Sequence, residues 1–316
     1  MKLLKMFNLV RNENLKLSRR ISTWLMFGVL ILIVLAAALI IKANVGHESS
    51  KNWKADLTQT NVYLEKEIKS QRFGQVGSMK RELQTNKYRL EHNLPPSKPN
   101  SLWGFIEGAA NVISVIALFA IVMGGGMVAN EFSSGTIKLL LIRPSKRWKI
   151  LLSKYITVIT YILFMLLGLF IASFLIGGLF FSFNGATEPF LKNSNGIITQ
   201  VNMIAHIIGV YGYECVSLIM MVTLAFMIST VFRSSSLAIG IGVFLMFSGN
   251  ILVLVLNRFD WSKYILFANT NLRQYIDGAP PVKGMTLSFS VTVLIVYFIV
   301  FNLISFIGFN KRDVAA

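Results

Sequence analysis

The chain has 316 residues, of which 54% are hydrophobic and only 14% charged, a balance that excludes a water-solvated globular protein of this size and makes the bilayer its principal solvent. Its net charge of +17 comes from cations clustered between long apolar runs, a pattern that suits an anionic lipid surface and no nucleic-acid partner. One cysteine, Cys215, excludes a disulfide framework and a thiolate metal cluster.

Residues 1–20 set Leu3, Phe7, Val10 and Leu17 at helical spacing among Lys2, Lys5, Arg11, Lys16, Arg19 and Arg20. This spacing predicts a cytoplasmic amphipathic helix lying in the membrane interface. A basic tail that only sets topology is the plainer alternative. The apolar run 21–41 follows without a small-residue cleavage site after Ile41, so it is read as a transmembrane helix and not as a signal peptide.

Residues 42–105 carry two helical stripes, Trp53, Leu57, Thr60, Leu64 and Ile68, then Val76, Met79, Leu83 and Leu90, with Gly74 and Gly77 between them. They predict an extracellular helical hairpin. Pro95, Pro96 and Pro99 end it and lead as an extended segment into the second span. A partner or substrate surface and a simple packing role both remain open for this hairpin.

Crossing the hydrocarbon core takes about 20 apolar residues, and the runs 106–128, 151–182, 204–232, 237–256 and 285–309 bring the transmembrane helices to six. The fold class is therefore all-α and polytopic. The run 151–182 exceeds the minimum and is expected to tilt or extend, with Gly177 and Gly178 marking a weak point near its end. In the second span, Gly124, Gly125 and Gly126 allow close helix packing or a hinge. Between the last two spans, residues 258–283 hold Trp261, Tyr264, Phe267 and Tyr275, as expected of extracellular re-entrant helices in an aromatic belt, stopped by Pro280 and Pro281.

An even number of spans puts both termini on one side. Short loops on that side hold fifteen Lys and Arg against five on the other, which predicts cytoplasmic termini, with residues 310–316 as a cytoplasmic tail in the plasma membrane. The eleven in the loop 42–105 are not counted, because loops that long translocate largely regardless of charge.

Catalytic patterns are missing. The sequence has no GxxxxGK[ST] phosphate loop and no GxSxG, and its three histidines, His47, His92 and His206, stand at no zinc-binding spacing. The expectation is a chain that is not an enzyme and binds no cofactor or metal. Glu214 lies about ten residues into the fourth span, with His206 two turns away. Either they contact a substrate or proton in a translocation path, or Glu214 is a protonated acid hydrogen-bonded between helices.

Residues 129–150 are the most informative stretch. Asn130 or Ser133 can cap a short helix whose Ile137, Leu140 and Leu141 form an apolar face, before Pro144 turns the chain and Lys146, Arg147 and Lys149 meet headgroups ahead of Lys154. Such a face suits a groove on a cytoplasmic partner. A topology-setting basic loop would explain the charges but not the apolar helix.

Glu131, Gly135, Thr136, the run Leu139 to Leu141, Pro144 and Ser145 together resemble the coupling region of ABC type-2 permeases, with Lys146 where that family usually has Arg and Arg147 just after it. The resemblance extends over nearly the whole chain. ILFANTNLRQYIDG and the terminal FNKRDV look like Firmicute members of the family, and YRLEHNLPP like a subset with an enlarged first outer loop. It implies a permease subunit of an ATP-driven exporter, paired with a second permease chain, the same or related. A separate ABC ATPase subunit would bind ATP-Mg and press on the coupling helix at Glu131, Gly135, Thr136, Ile137, Leu140, Leu141 and Pro144. Few intramembrane charges favour an amphipathic or hydrophobic cargo, such as a peptide, drug or lipid. The competing expectation is a membrane sensor or immunity protein that binds a toxic peptide through the hairpin without moving it.

Overall fold

The computed structural model describes residues 2–45, 52–70, 76–96, 100–136, 146–181, 183, 189–194, 196–276 and 280–311. The protein is an all-α, polytopic membrane protein, with six helices among the described residues long and apolar enough to cross a bilayer.

Helix α1, Lys2–Ser18, meets the first span α2, Ile21–Val45, at a corner. The Thr23 hydroxyl donates to the Leu17 carbonyl at 2.7 Å and the Trp24 indole to the Ser18 carbonyl at 2.8 Å. These bonds satisfy carbonyls left open at the end of α1. Helices α3, Trp53–Ser70, and α4, Val76–Glu91, pack on each other as a hairpin. Leu64 and Asn86 are buried between them, and Lys87 pairs with Glu65 at 2.8 Å across the hairpin.

The second span starts earlier than its apolar run suggests. Ser101 caps α5, Leu102–Ala109, by accepting from the Gly104 amide, and a 3-10 turn at Ala110–Val112 joins α5 to α6, Ile113–Ser133. Helix α6 also ends later than 128, so Asn130 and Ser133 are not caps of a separate helix. The Asn130 carbonyl instead accepts from the Ser133 and Ser134 hydroxyls, inside and just after the last turn of α6. Residues 129–150 are thus divided among the end of α6, the start of α7 at Arg147, and the residues 137–145, which lie outside those described.

Helix α7, Arg147–Phe180, is 34 residues long and runs unbroken through Gly177 and Gly178. These glycines are no weak point. A side chain at Gly177 would start 2.9 Å from Leu102 and 3.0 Å from Phe105, so its role is to let α5 approach α7.

A two-stranded hairpin follows, β1, Pro189–Ser194, against β2, Ile197–Asn202, the chief element that the helical pattern does not anticipate. Asn202 then caps α8, Met203–Phe232, by accepting from the Ile204 and Ala205 amides. Arg233, in the left-handed region at φ 55°, ends α8, and Ser234 caps α9, Ser235–Leu256. Two 3-10 turns, Asp260–Tyr264 and Leu272–Tyr275, flank α10, Leu266–Thr270, and make the short helical segment before the last span, α11, Leu287–Lys311.

Helices α6 and α8 form the centre, with 61% of each apolar window buried, against 17% for α2, α9 and α11. Gly124 lets α6 close on Val222 of α8, and Gly125 lets it close on Ile239 of α9, an added side chain starting 3.1 Å from each. Close packing, not a hinge, is therefore their part.

Candidate functional site: an ion cluster at the end of the second span

On the face that carries both termini, the last turn of α6 meets α1 and α7 through four charged side chains. The Lys154 ammonium, only 1% exposed, donates to Glu13 Oε2 at 2.9 Å and to Glu131 Oε1 at 2.5 Å. Lys16, one turn beyond Glu13, reaches Glu13 Oε1 at 3.2 Å and Glu131 Oε1 at 3.7 Å. Two acids and two bases alternate and cancel, which is the condition under which a buried ammonium is tolerated.

Burial by itself raises the pKa of Glu13. The charges and hydrogen bonds of Lys154, and then of Lys16, outweigh burial and hold the carboxyl below its ordinary value of 4.5. Glu13 therefore anchors the interfacial helix as an anion. The Glu131 Oε2 atom is buried and meets no donor among the described residues.

The same turn is gripped from its other sides. The Ala129 amide donates to Ser229 Oγ of α8 at 3.1 Å. The Arg233 guanidinium lies 4.6 Å from the Phe132 ring, and Phe309 of α11 meets that ring edge-on at 6.3 Å. Gly135 then turns the chain out of α6 with φ at +70°, a conformation that favours glycine, while its amide donates to the Phe132 carbonyl. Thr136 Oγ1 lies 2.9 Å from the Ser134 hydroxyl.

Of the residues singled out in the sequence, Glu131, Gly135 and Thr136 thus converge at one turn, and Ile137, Leu140, Leu141 and Pro144 lie outside the described residues. Lys154, expected to enter the membrane behind the headgroup cations, is instead the buried centre of the cluster. Two signals pointed to it: Glu13 is the sole acid in the first twenty residues, and Lys154 interrupts an apolar helix.

His206 and Glu214 belong to different surroundings. Along α8 they are separated by about 12 Å of helix rise. The His206 ring pairs with Glu107 of α5 at 3.2 Å and is stacked on Phe190 of β1, with ring centroids 3.5 Å apart. Glu214 is half-buried two turns further on. Glu107, which the sequence reading passes over, is therefore the partner of His206, and the β-hairpin covers the pair. Asn193 on the same strand donates to the Arg81 carbonyl and to Gln84 of α4, both at 3.2 Å, which ties the helical hairpin to α8. Among the described residues no group of three His, Cys, Asp or Glu could hold a metal ion.

The chain matches, over residues 72–315, a family described as "Protein of unknown function (DUF2705)". It is 44% identical over 313 residues to the uncharacterized protein YhcI of Bacillus subtilis strain 168, covering 98% of this chain and 100% of that protein. It is 32% identical over 216 residues to the uncharacterized membrane protein YdbK of the same strain, covering 67% of this chain and 82% of that protein.

Proposed function

The chain belongs to the DUF2705 family, and we propose that it is the membrane permease subunit of an ATP-driven ABC exporter of the type-2 kind. A separate ATPase subunit binds ATP-Mg and hydrolyses it. This chain receives the resulting movement and passes it to spans that line the path of an amphipathic or hydrophobic substrate. A second permease chain, the same or related, completes the translocation unit in the plasma membrane, and both termini face the cytoplasm.

The observation that carries this reading is the end of α6. Glu131 opens the segment that resembles a coupling region, and it is joined by ion pairs to α1 and α7. Phe132 beside it touches the α8–α9 corner and α11. A push on residues 135–145 therefore acts at once on the interfacial helix and on four spans. A connector that merely set topology would need no such junction. Movement of this kind shifts an equilibrium between two packings only as far as the partner binds them differently.

The sensor reading has one observation in its favour, the line of contacts from α4 through Asn193 and Phe190 to His206. It predicts protection against a peptide that persists when the ATPase is catalytically dead.

The deciding experiment purifies the tagged protein from its own membranes in mild detergent and measures vanadate-sensitive ATPase activity. The expected result is co-purifying activity in the wild type that is lost in Gly135→Pro plus Leu140→Asp while membrane insertion survives. Absence of an ATPase from both samples would overturn the permease reading in favour of the sensor. Normal transport by the double variant would overturn the coupling assignment.

A further inference from the structure

A groove opens between α1, α2 and α7 on the membrane face that carries the termini, with a cavity of about 280 Å³. Its wall is apolar and aromatic, made by Leu17, Trp24, Phe27, Tyr161, Phe164 and Met165. Asn14, Ser18, Thr23 and Thr160 add polar groups. Phe27 and Phe164 stack at 5.5 Å, and Tyr161 donates its hydroxyl to the Met26 sulfur. The Thr23 and Trp24 bonds to the end of α1 fix the corner above. The groove is thus preformed, as ligand sites mostly are.

We propose that this groove binds one anionic glycerophospholipid from the leaflet on the side of the termini. Charge selects the occupant. Ser18 in the groove wall is followed directly by Arg19 and Arg20, both exposed, and Arg11 is exposed on the same helix. The sole acid of α1, Glu13, is turned inward and held by Lys154, so no carboxylate of α1 offsets these cations outside. An acyl chain fills the aromatic slot, and the phosphate meets Arg19 and Arg20 at the depth where Trp24 marks the interface. The Asn14 carboxamide, half-buried in the wall, offers N–H donors to the ester and phosphate oxygens. A neutral phospholipid fits the slot but leaves the cations unmatched.

The lipid lies against both α1 and α7, the two helices that Glu13 and Lys154 connect. Its occupancy therefore supports the ion cluster from the membrane side. The proposal needs only the membrane fold and stands whether or not an ATPase binds this chain.

The test is native mass spectrometry of the purified full chain, delipidated and then given phosphatidylglycerol or phosphatidylcholine with identical acyl chains. The wild type is expected to retain one phosphatidylglycerol at roughly ten-fold lower lipid concentration than phosphatidylcholine. Arg19→Gln plus Arg20→Gln should abolish that preference, and Thr160→Phe, which fills the slot, should remove retention of both lipids. Equal retention of the two lipids by the wild type would overturn the proposal. So would undiminished phosphatidylglycerol retention by either variant. The arginine variant changes only exposed side chains, so it still decides the matter if Thr160→Phe fails to fold.

Discussion

Lys154 is the side chain on which two carboxylates depend, and among the described residues only one other cation, half-exposed Lys16, reaches both. In Lys154→Met the Glu13 and Glu131 carboxylates face each other with Lys16 alone between them. Removing one partner from such a buried set destabilises by roughly 3 kcal/mol. Unfolding in detergent should register that loss, and Glu13→Gln added to Lys154→Met should recover part of it, since Glu131 and Lys16 then balance. Strictly additive losses in this mutant cycle would refute the coupling. Acid provides a second handle. The Glu13 carboxyl lies below 4.5 in the folded protein because Lys154 and Lys16 outweigh burial. Its contribution is therefore fully present above pH 4.5 and disappears as the pH falls through the lowered folded value. Amide exchange over residues 2–18, corrected for intrinsic rates, should show α1 loosening only below pH 4.5 in the wild type. Glu13→Gln should be loose already at pH 7, and a pH response identical to the wild type would refute the anchor. None of this was legible in local pattern, since Glu13 and Lys154 stand 141 residues apart. What the sequence did carry was two misfits, an acid in a basic helix and a cation in an apolar one.

Long apolar runs are the part of this molecule that sequence specifies most directly, because a span must satisfy its own backbone within the bilayer and so must be a helix. All six spans could be read for that reason, whereas their ends depend on neighbours. Gly177 illustrates the difference. Taken alone, a Gly-Gly pair late in an apolar run suggests a break, but in the fold it admits Leu102 and Phe105 of α5 to within contact of α7. Gly177→Leu should therefore overpack that contact and cost about 1–3 kcal/mol, while displacing α5 and with it Glu107. The readout beyond stability is the His206 ring, whose NMR chemical shifts should change in Gly177→Leu and stay as in the wild type for an exposed control, Leu179→Ala. The β-hairpin is a different case. Its strands mix polar and apolar residues too evenly for a clear period, yet the sequence reads Asn-Gly at 195–196, just after Ser194, which pairs with Ile197, and Gly196 adopts φ +88°. That dipeptide is a strong local hairpin signal. The hairpin holds because α4 and His206 support it, partners that no local window contains.

At the scale of the whole molecule, two groups of contacts meet on the same central pair, α6 and α8. On one membrane face Glu131 and Phe132 join the end of α6 to α1, α7, α9 and α11. On the other, β1 and α5 close over His206 near the start of α8. A transporter uses such an arrangement only if the α6 end faces the compartment that holds ATP, so orientation decides the functional proposal. The charge asymmetry of fifteen Lys and Arg against five in the short loops predicts that the α6 end faces inward. In a Cys215→Ser background, single cysteines at exposed Thr58 on α3 and at Ser234 between α8 and α9 report the two faces. A membrane-impermeant thiol reagent applied to intact cells should label Thr58→Cys and spare Ser234→Cys until the membrane is opened. The reverse pattern would put Glu131 and residues 135–145 outside the cell. No ATPase could then act on them, and the helical hairpin, now cytoplasmic, would become the surface on which any partner must bind.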